Sequence, residues 1–287
     1  MNNKNCFLCG NSDIELFHKG TRDNKNIDVL KCKKCGLVFL SSFEHIHNEF
    51  YENSGMYKKD NLKIQKWREI TYEDDTRRAN MLKKIIERKD ILDFGCGNGG
   101  FLDYSKLYAN RICGIEIDRA AREDLISHGY TVWEQIDECD QEFDIITLFH
   151  VLEHLENPVE YLLKLKGILK KNSQSQIIIE IPNADDALVS LYHSEAFADF
   201  TYWSLHLYLF NHENINLLAN KAGLKVNWVK QIQRYSLANH LYWLSEGKPG
   251  GHNIWSFMED EKMKSQYEEI LGKQNMCDTL LISLVLE

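Results

Sequence analysis

Two clusters of residues have the types and spacing that chemistry needs. The first lies in ILDFGCGNGG, residues 91 to 100. An apolar run ends at Asp93, and glycines occupy positions 95, 97, 99 and 100. Such a turn after a strand lets backbone approach a nucleotide-like ligand. Gly95, Gly97 and Gly100 satisfy Gly-x-Gly-x-x-Gly, the dinucleotide pattern. Asp93, Gly95, Gly97 and Gly99 satisfy Asp-x-Gly-x-Gly-x-Gly, which points instead to S-adenosylmethionine. The second cluster is Cys6, Cys9, Cys32 and Cys35, in CFLCG and CKKCG with 22 residues between Cys9 and Cys32. Four thiolates in two tight knuckles suit a tetrahedral, structural Zn2+ rather than a redox pair. Cys96, Cys113, Cys139 and Cys277 are scattered and read as buried, inert thiols.

Strands and helices must hold these groups. IDVLKC and LVFL flank the second knuckle as short strands, giving a zinc ribbon over residues 1–48. So small a segment has little core, so the metal supplies much of its stability. Residues 49–89 are expected as a helical linker or lid: EFYENSGMYKKD is polar and aromatic, and Ala79, Leu82, Ile85 and Ile86 then share one helical face. Residues 90–287 form the main domain. DILDFG, RICGIEID, YTVW, FDIITLFHV and QIIIEIP read as strands alternating with helices, the pattern of an α/β, doubly wound, mostly parallel sheet. LKVNWVKQI and TLLISLVL lack a regular crossover and are expected as an antiparallel pair at one edge.

Bulk properties narrow the function. A net charge of −9 disfavours a protein whose whole surface binds nucleic acid. No apolar run reaches the roughly 18 residues a spanning helix needs, so no membrane partner is expected. MNNKNCFLCG lacks the apolar stretch of a signal peptide, and the expected location is the cytoplasm.

Open α/β sheets bind ligands at the carboxyl ends of their strands, where Asp93 and Glu116 would lie. Glu116 follows Asp93 by 23 residues and can accept both hydroxyls of a ribose, which suits either cofactor. Asp93 separates them. A carboxylate there repels a pyrophosphate and suits a cofactor carrying an ammonium and a sulfonium. ILDFGCGNGG, GIEID and FDIITLFHVLEHLENP together resemble the class I S-adenosylmethionine-dependent methyltransferases, in the subgroup whose fourth strand ends in His-Val-Leu-Glu-His. HLYLFNHENINLLANKAGLKV resembles the same subgroup, and the ribbon ahead of such a domain resembles bacterial sugar methyltransferases.

The resemblance implies roles. Gly95 and Gly97 offer backbone to the methionine part, Asp93 holds its ammonium, Glu116 takes the ribose, Gln135 and Ile136 flank the adenine, and His150 lines the methionine end. A hydroxyl acceptor must lose a proton, for which histidine is the favoured base. His206, in a segment that faces the acceptor in this fold, is the first candidate and His154 the second. FTYWSLH and the 233–255 stretch, with Tyr202, Arg234, Tyr235 and His240, are expected to shape the acceptor pocket, GKPGGH being a mobile loop. Tyr51 and Tyr57 are expected to close over the cofactor. The chain is shorter than many sugar C-methyltransferases, which favours O-methylation of a sugar, a sugar nucleotide or a surface-polysaccharide precursor. The alternatives are C-methylation of a nucleotide-linked deoxysugar, rRNA methylation and a non-catalytic, cofactor-binding scaffold.

Overall fold

The computed structural model describes residues 5–46 and 64–287. His47, the 49–60 segment and its Tyr51 and Tyr57 lie outside the described residues. Strands β1 (Ile14–His18), β2 (Val29–Cys32) and β3 (Val38–Leu40) form an antiparallel ribbon. Far along the chain, β9 (Tyr208–Leu209) adds to it, pairing Val38 with Leu209 and Phe39 with Tyr208.

The larger sheet has seven strands in the order β10-β11-β8-β7-β4-β5-β6 and is mixed in direction. Its strands are β4 (Asp90–Phe94), β5 (Arg111–Ile115), β6 (Val132–Trp133), β7 (Ile145–Phe149), β8 (Gln176–Pro182), β10 (Leu224–Ile232) and β11 (Thr279–Leu286). The β4–β5, β5–β6 and β4–β7 pairs are parallel. Ile145, Ile146, Leu148 and Ile177 to Ile179 are fully buried, as continuous apolar runs in a sheet covered on both faces should be. After β4 the chain goes to β5 on one side and later returns to β7 on the other. That reversal is a topological switch point, the place where α/β sheets bind ligands, and the glycine turn leaves β4 there.

The principal helices are α1 (Ile64–Ile86), α2 (Gly100–Ser105), α3 (Arg119–Ser127), α4 (Pro158–Gly167), α5 (Ile215–Lys221), α6 (Leu237–Glu246) and α7 (Glu261–Lys273). Several begin at side-chain caps: Asp118 accepts from Ala121 N–H at α3, and Asp260 from Met263 N–H at α7. Much of the 233–255 stretch is helical. It carries α6 and a further helical turn, Gly251–Ile254. GKPGGH is a tight connection, because a Cβ on Gly251 would fall 2.3 Å from Tyr242 Cβ.

The described residues divide into two compact units. One is drawn from Met1–Phe43, Leu152–Pro158 and Glu180–Ser283, the other from Glu44–Val151, Val159–Ile179 and Leu284–Glu287. No helix among the described residues is long and apolar enough to cross a membrane.

Candidate active site

The glycine turn belongs to the second unit. Gly95, Gly97 and Gly99 have φ of 76°, 55° and 76°, the left-handed region open to glycine at little cost. Three buried carboxyl groups stand around the turn. Asp93, 3% exposed at the end of β4, accepts a hydrogen bond from Thr147 Oγ1 at 2.7 Å. Glu116, also 3% exposed, accepts from Gly97 N–H and Asp118 N–H, both at 2.7 Å, one on each carboxylate oxygen. Arg122 braces this end of β5 by donating to the carbonyls of Glu116 and Ile117.

The third carboxyl, Asp75, comes from α1, and sequence reasoning missed it. Arg68, Thr71, Asp75, Arg78 and Leu82 recur at helical spacing along that helix. Arg68 Nε donates to the Asn98 carbonyl at 2.9 Å, and Asn98 Nδ2 donates to Thr71 Oγ1 at 2.9 Å. Arg78 pairs with Asp75 at 3.2 Å, its guanidinium 4.9 Å from the Phe149 ring centroid. The signal available in sequence was an Asp–Arg pair three residues apart beside the apolar positions Ala79 and Leu82.

Asp75 also explains the fourth glycine. A Cβ on Gly100 would sit 2.0 Å from Asp75 Oδ2. Gly100→Ala should therefore drive α1 off the turn. The expected loss is about 2–4 kcal/mol, the range of overpacking and broken buried pairs, with cofactor affinity falling alongside. Thermal unfolding and calorimetric titration of the variant check both.

Electrostatics of the turn favour a cationic guest. Burial pushes the Asp93 carboxyl up to about 7, against the Thr147 hydrogen bond and the attraction of Arg78. Burial likewise raises Asp75 and Glu116. Three buried acids stand against one buried guanidinium, so an added positive charge would stabilise their ionised forms.

The other residues expected at a cofactor lie as follows. His150 has φ of 54°, a left-handed conformation uncommon for a non-glycine residue. The following residue, Val151, packs so closely that a Cβ on Gly95 would meet its Cγ2 at 2.5 Å. Gln135 precedes the short 3-10 helix Ile136–Glu138, and Ile136 is buried.

In the first unit the four clustered cysteines converge. Their sulfurs lie within 4.8 Å of one another, with Cys6–Cys35 and Cys9–Cys32 each at 3.5 Å. Zn–S bonds of about 2.3 Å imply S···S of about 3.8 Å in a tetrahedron, so the geometry is compatible with zinc. The scattered Cys96, Cys113, Cys139 and Cys277 are all buried.

His154 and His206 are also brought together, their ring centroids 5.0 Å apart. Glu153, fully buried, joins them. The turn that carries His206 is clamped to the ribbon. Arg22 N–H donates to the Tyr202 carbonyl at 2.8 Å, Asp23 accepts from Ser204 N–H and Oγ at 3.0 and 2.6 Å, and Leu40 N–H donates to the Leu207 carbonyl at 3.1 Å. A small pocket lies here, lined by Val38, Leu40, Tyr202, Trp203, His206 and Leu209 among others.

His240 sits in a different network. It is 1% exposed, with Nδ1 2.8 Å from Tyr267 Oη and Nε2 3.1 Å from Gln233 Nε2. Burial lowers its pKa to about 4, so it is neutral near pH 7. The backbone N–H groups of Arg234 and Tyr235 both donate to Asp278 Oδ2 at 2.9 Å.

With this geometry in hand, comparison with known proteins decides the family. The family described as "Methyltransferase domain" matches residues 64–227, more than half of the chain. The chain belongs to this family. The protein is an S-adenosylmethionine-dependent methyltransferase. Among solved structures, a SAM-dependent methyltransferase from Archaeoglobus fulgidus is 17% identical with a TM-score of 0.51, over 76% of this chain and 94% of its own. One chain of the complex between the Haloferax volcanii Trm112 methyltransferase activator and a methyltransferase is 14% identical with a TM-score of 0.51, over 84% of this chain and 98% of its own. At such identities these likenesses show the fold alone. The curated proteins contain no match. The residues of this methyltransferase fit its cofactor: a glycine cradle without Cβ atoms, buried acids for cationic groups, and a Glu116 carboxylate with lone pairs left for hydroxyls.

Proposed function

We propose that this methyltransferase transfers a methyl group to a hydroxyl of a small-molecule acceptor, a sugar or surface-polysaccharide precursor, with the proton removed at the His154–His206 pair. The observation that carries the reading is this pair of imidazoles at 5.0 Å beside an aromatic-lined pocket. The ribbon before a methyltransferase domain supports the sugar class.

Asp93, Gly95, Gly97 and Glu116 bind and orient the cofactor, with Gln135, Ile136 and His150 at its two ends. The bound cofactor supplies an electrophilic methyl on a sulfonium, already a good leaving group. The protein's task is therefore alignment and proton removal. His206 accepts the hydroxyl proton as the oxygen bonds to the methyl carbon and the C–S bond electrons return to sulfur. Tyr202 shapes the acceptor side, whereas Arg234, Tyr235 and His240 belong to the separate network around Gln233, Tyr267 and Asp278. Cys6, Cys9, Cys32 and Cys35 hold one structural Zn2+.

Mass spectrometry of enzyme incubated with S-adenosylmethionine and a panel of nucleotide sugars and phosphosugars tests the reading. The expected product is heavier by one methylene on oxygen. Methylation at carbon, or of RNA alone, overturns it. Zinc is tested separately. Metal analysis should find one equivalent per chain, and Cys32→Ser should lose it. Because the ribbon clamps the 202–209 segment, that variant should also lose methyl transfer while still binding cofactor.

A further inference from the structure

We infer that Glu153, His154 and His206 form a divalent-cation site of two imidazoles and one carboxylate, distinct from the cysteine cluster. One potential ligand atom from each residue lies within 4.8 Å of the other two. Two segments supply them: the 3-10 helix Leu152–His154 and the turn before β9. They are tied by Leu207 N–H donating to the Glu153 carbonyl at 2.9 Å.

The tautomer of His154 supports the site. Its Nδ1 lies 2.8 Å from the Leu205 carbonyl. A carbonyl oxygen only accepts, so Nδ1 carries the proton, and in the neutral imidazole Nε2 then holds the lone pair. Metal-bound histidines are oriented in this way by a backbone acceptor on the other nitrogen. Burial completes the picture, with Glu153 at 0% and His154 at 8% exposure, while His206 is partly open.

Ligand type separates the two metal sites. Four sulfurs close a structural zinc site, whereas two nitrogens and an oxygen leave coordination positions open and suit Mn2+, Fe2+ or Zn2+. On the reading that this cluster faces the acceptor, an open position takes the acceptor hydroxyl. The cation lowers its pKa, and the proton passes to solvent with no change of oxidation state. In the cation-loaded protein His206 is a ligand, and in the cation-free protein it is the proton acceptor of the proposed function.

The test is Mn2+ titration of protein carrying one equivalent of zinc, held by the cysteines, followed by the free-ion electron paramagnetic resonance signal. One Mn2+ should bind per chain, saturably. Glu153→Gln and His206→Asn should each weaken it at least tenfold while keeping the cysteine-bound zinc and cofactor binding, which report folding. No saturable binding, or binding unchanged in both variants, overturns the inference. Methyl transfer without cation binding would leave the proposed function standing and remove the site. Cation binding without transfer to any hydroxyl would do the reverse.

Discussion

His206→Ala should lower kcat by about 10²- to 10⁴-fold, the usual contribution of a positioned proton acceptor, and leave the affinity for S-adenosylmethionine within about threefold. The side chain stands in a turn whose shape is set by other residues. Asp23 holds the Ser204 amide and hydroxyl, Arg22 holds the Tyr202 carbonyl, and β3 pairs with β9 just beyond. Removing the imidazole therefore takes away a nitrogen beside His154 without taking away the fold of the turn. Product formation by mass spectrometry and cofactor affinity by calorimetry separate the outcomes. If affinity falls in step with kcat, His206 is structural and the proposed role is lost. His154→Ala should be less informative, because its Nδ1–H also ties Leu205 in place.

The second large effect is expected at Asp93, where stability and binding should move in opposite directions. In the unfolded chain its carboxyl ionises near 3.8; burial raises it to about 7. Below about pH 3.8 the group is neutral in both states and burial carries no ionic penalty. As pH rises toward 7 the unfolded chain releases the proton first, so the cofactor-free protein loses stability across that window. A shift of this size corresponds to about 4 kcal/mol by the usual conversion, as an order of magnitude. A cationic cofactor reverses the trend, since it favours the ionised form. Affinity for S-adenosylmethionine should therefore climb as pH rises through 7. Asp93→Asn keeps an oxygen for Thr147 Oγ1, so the variant should melt higher than wild type at pH 8. It should also bind the cofactor at least tenfold more weakly, with a flat pH profile. Thermal melts and calorimetry between pH 6 and 8 check this. A variant that binds with the wild-type pH dependence would show that another group carries it.

Much of the cofactor side was legible in the sequence, because it is local. Asp93 and its glycines follow one strand, and Glu116 ends the next, so spacing alone places them. The contribution of α1 was not legible. Asp75 and Arg78 precede the turn by about twenty residues, and periodicity shows only that a helix has an apolar face. The face meets the turn through Asn98, and that pairing follows from the fold. Gly100 shows the same limit: its place in a glycine pattern was visible, but the carboxylate that forbids a Cβ there was not. The aromatic 233–255 stretch was expected to shape an acceptor pocket, with only its GKPGGH end a mobile loop. Ala238, Tyr242 and Trp243 instead bury one face of a helix. The juxtaposition of Glu153 and His154 with His206 joins positions more than fifty residues apart, and no short-range pattern announces it.

The β3–β9 ladder has a consequence for how the chain is made. Val38 and its partner Leu209 are 171 residues apart. At roughly 5–20 residues per second, a ribosome needs about 10–30 s between delivering the two. Throughout that interval one edge of the ribbon lacks its native neighbour, and unpaired edges invite pairing with other chains. Early metal capture by the cysteines would hold the nascent strands in register during the wait, so zinc scarcity should register first as poor yield of newly made protein.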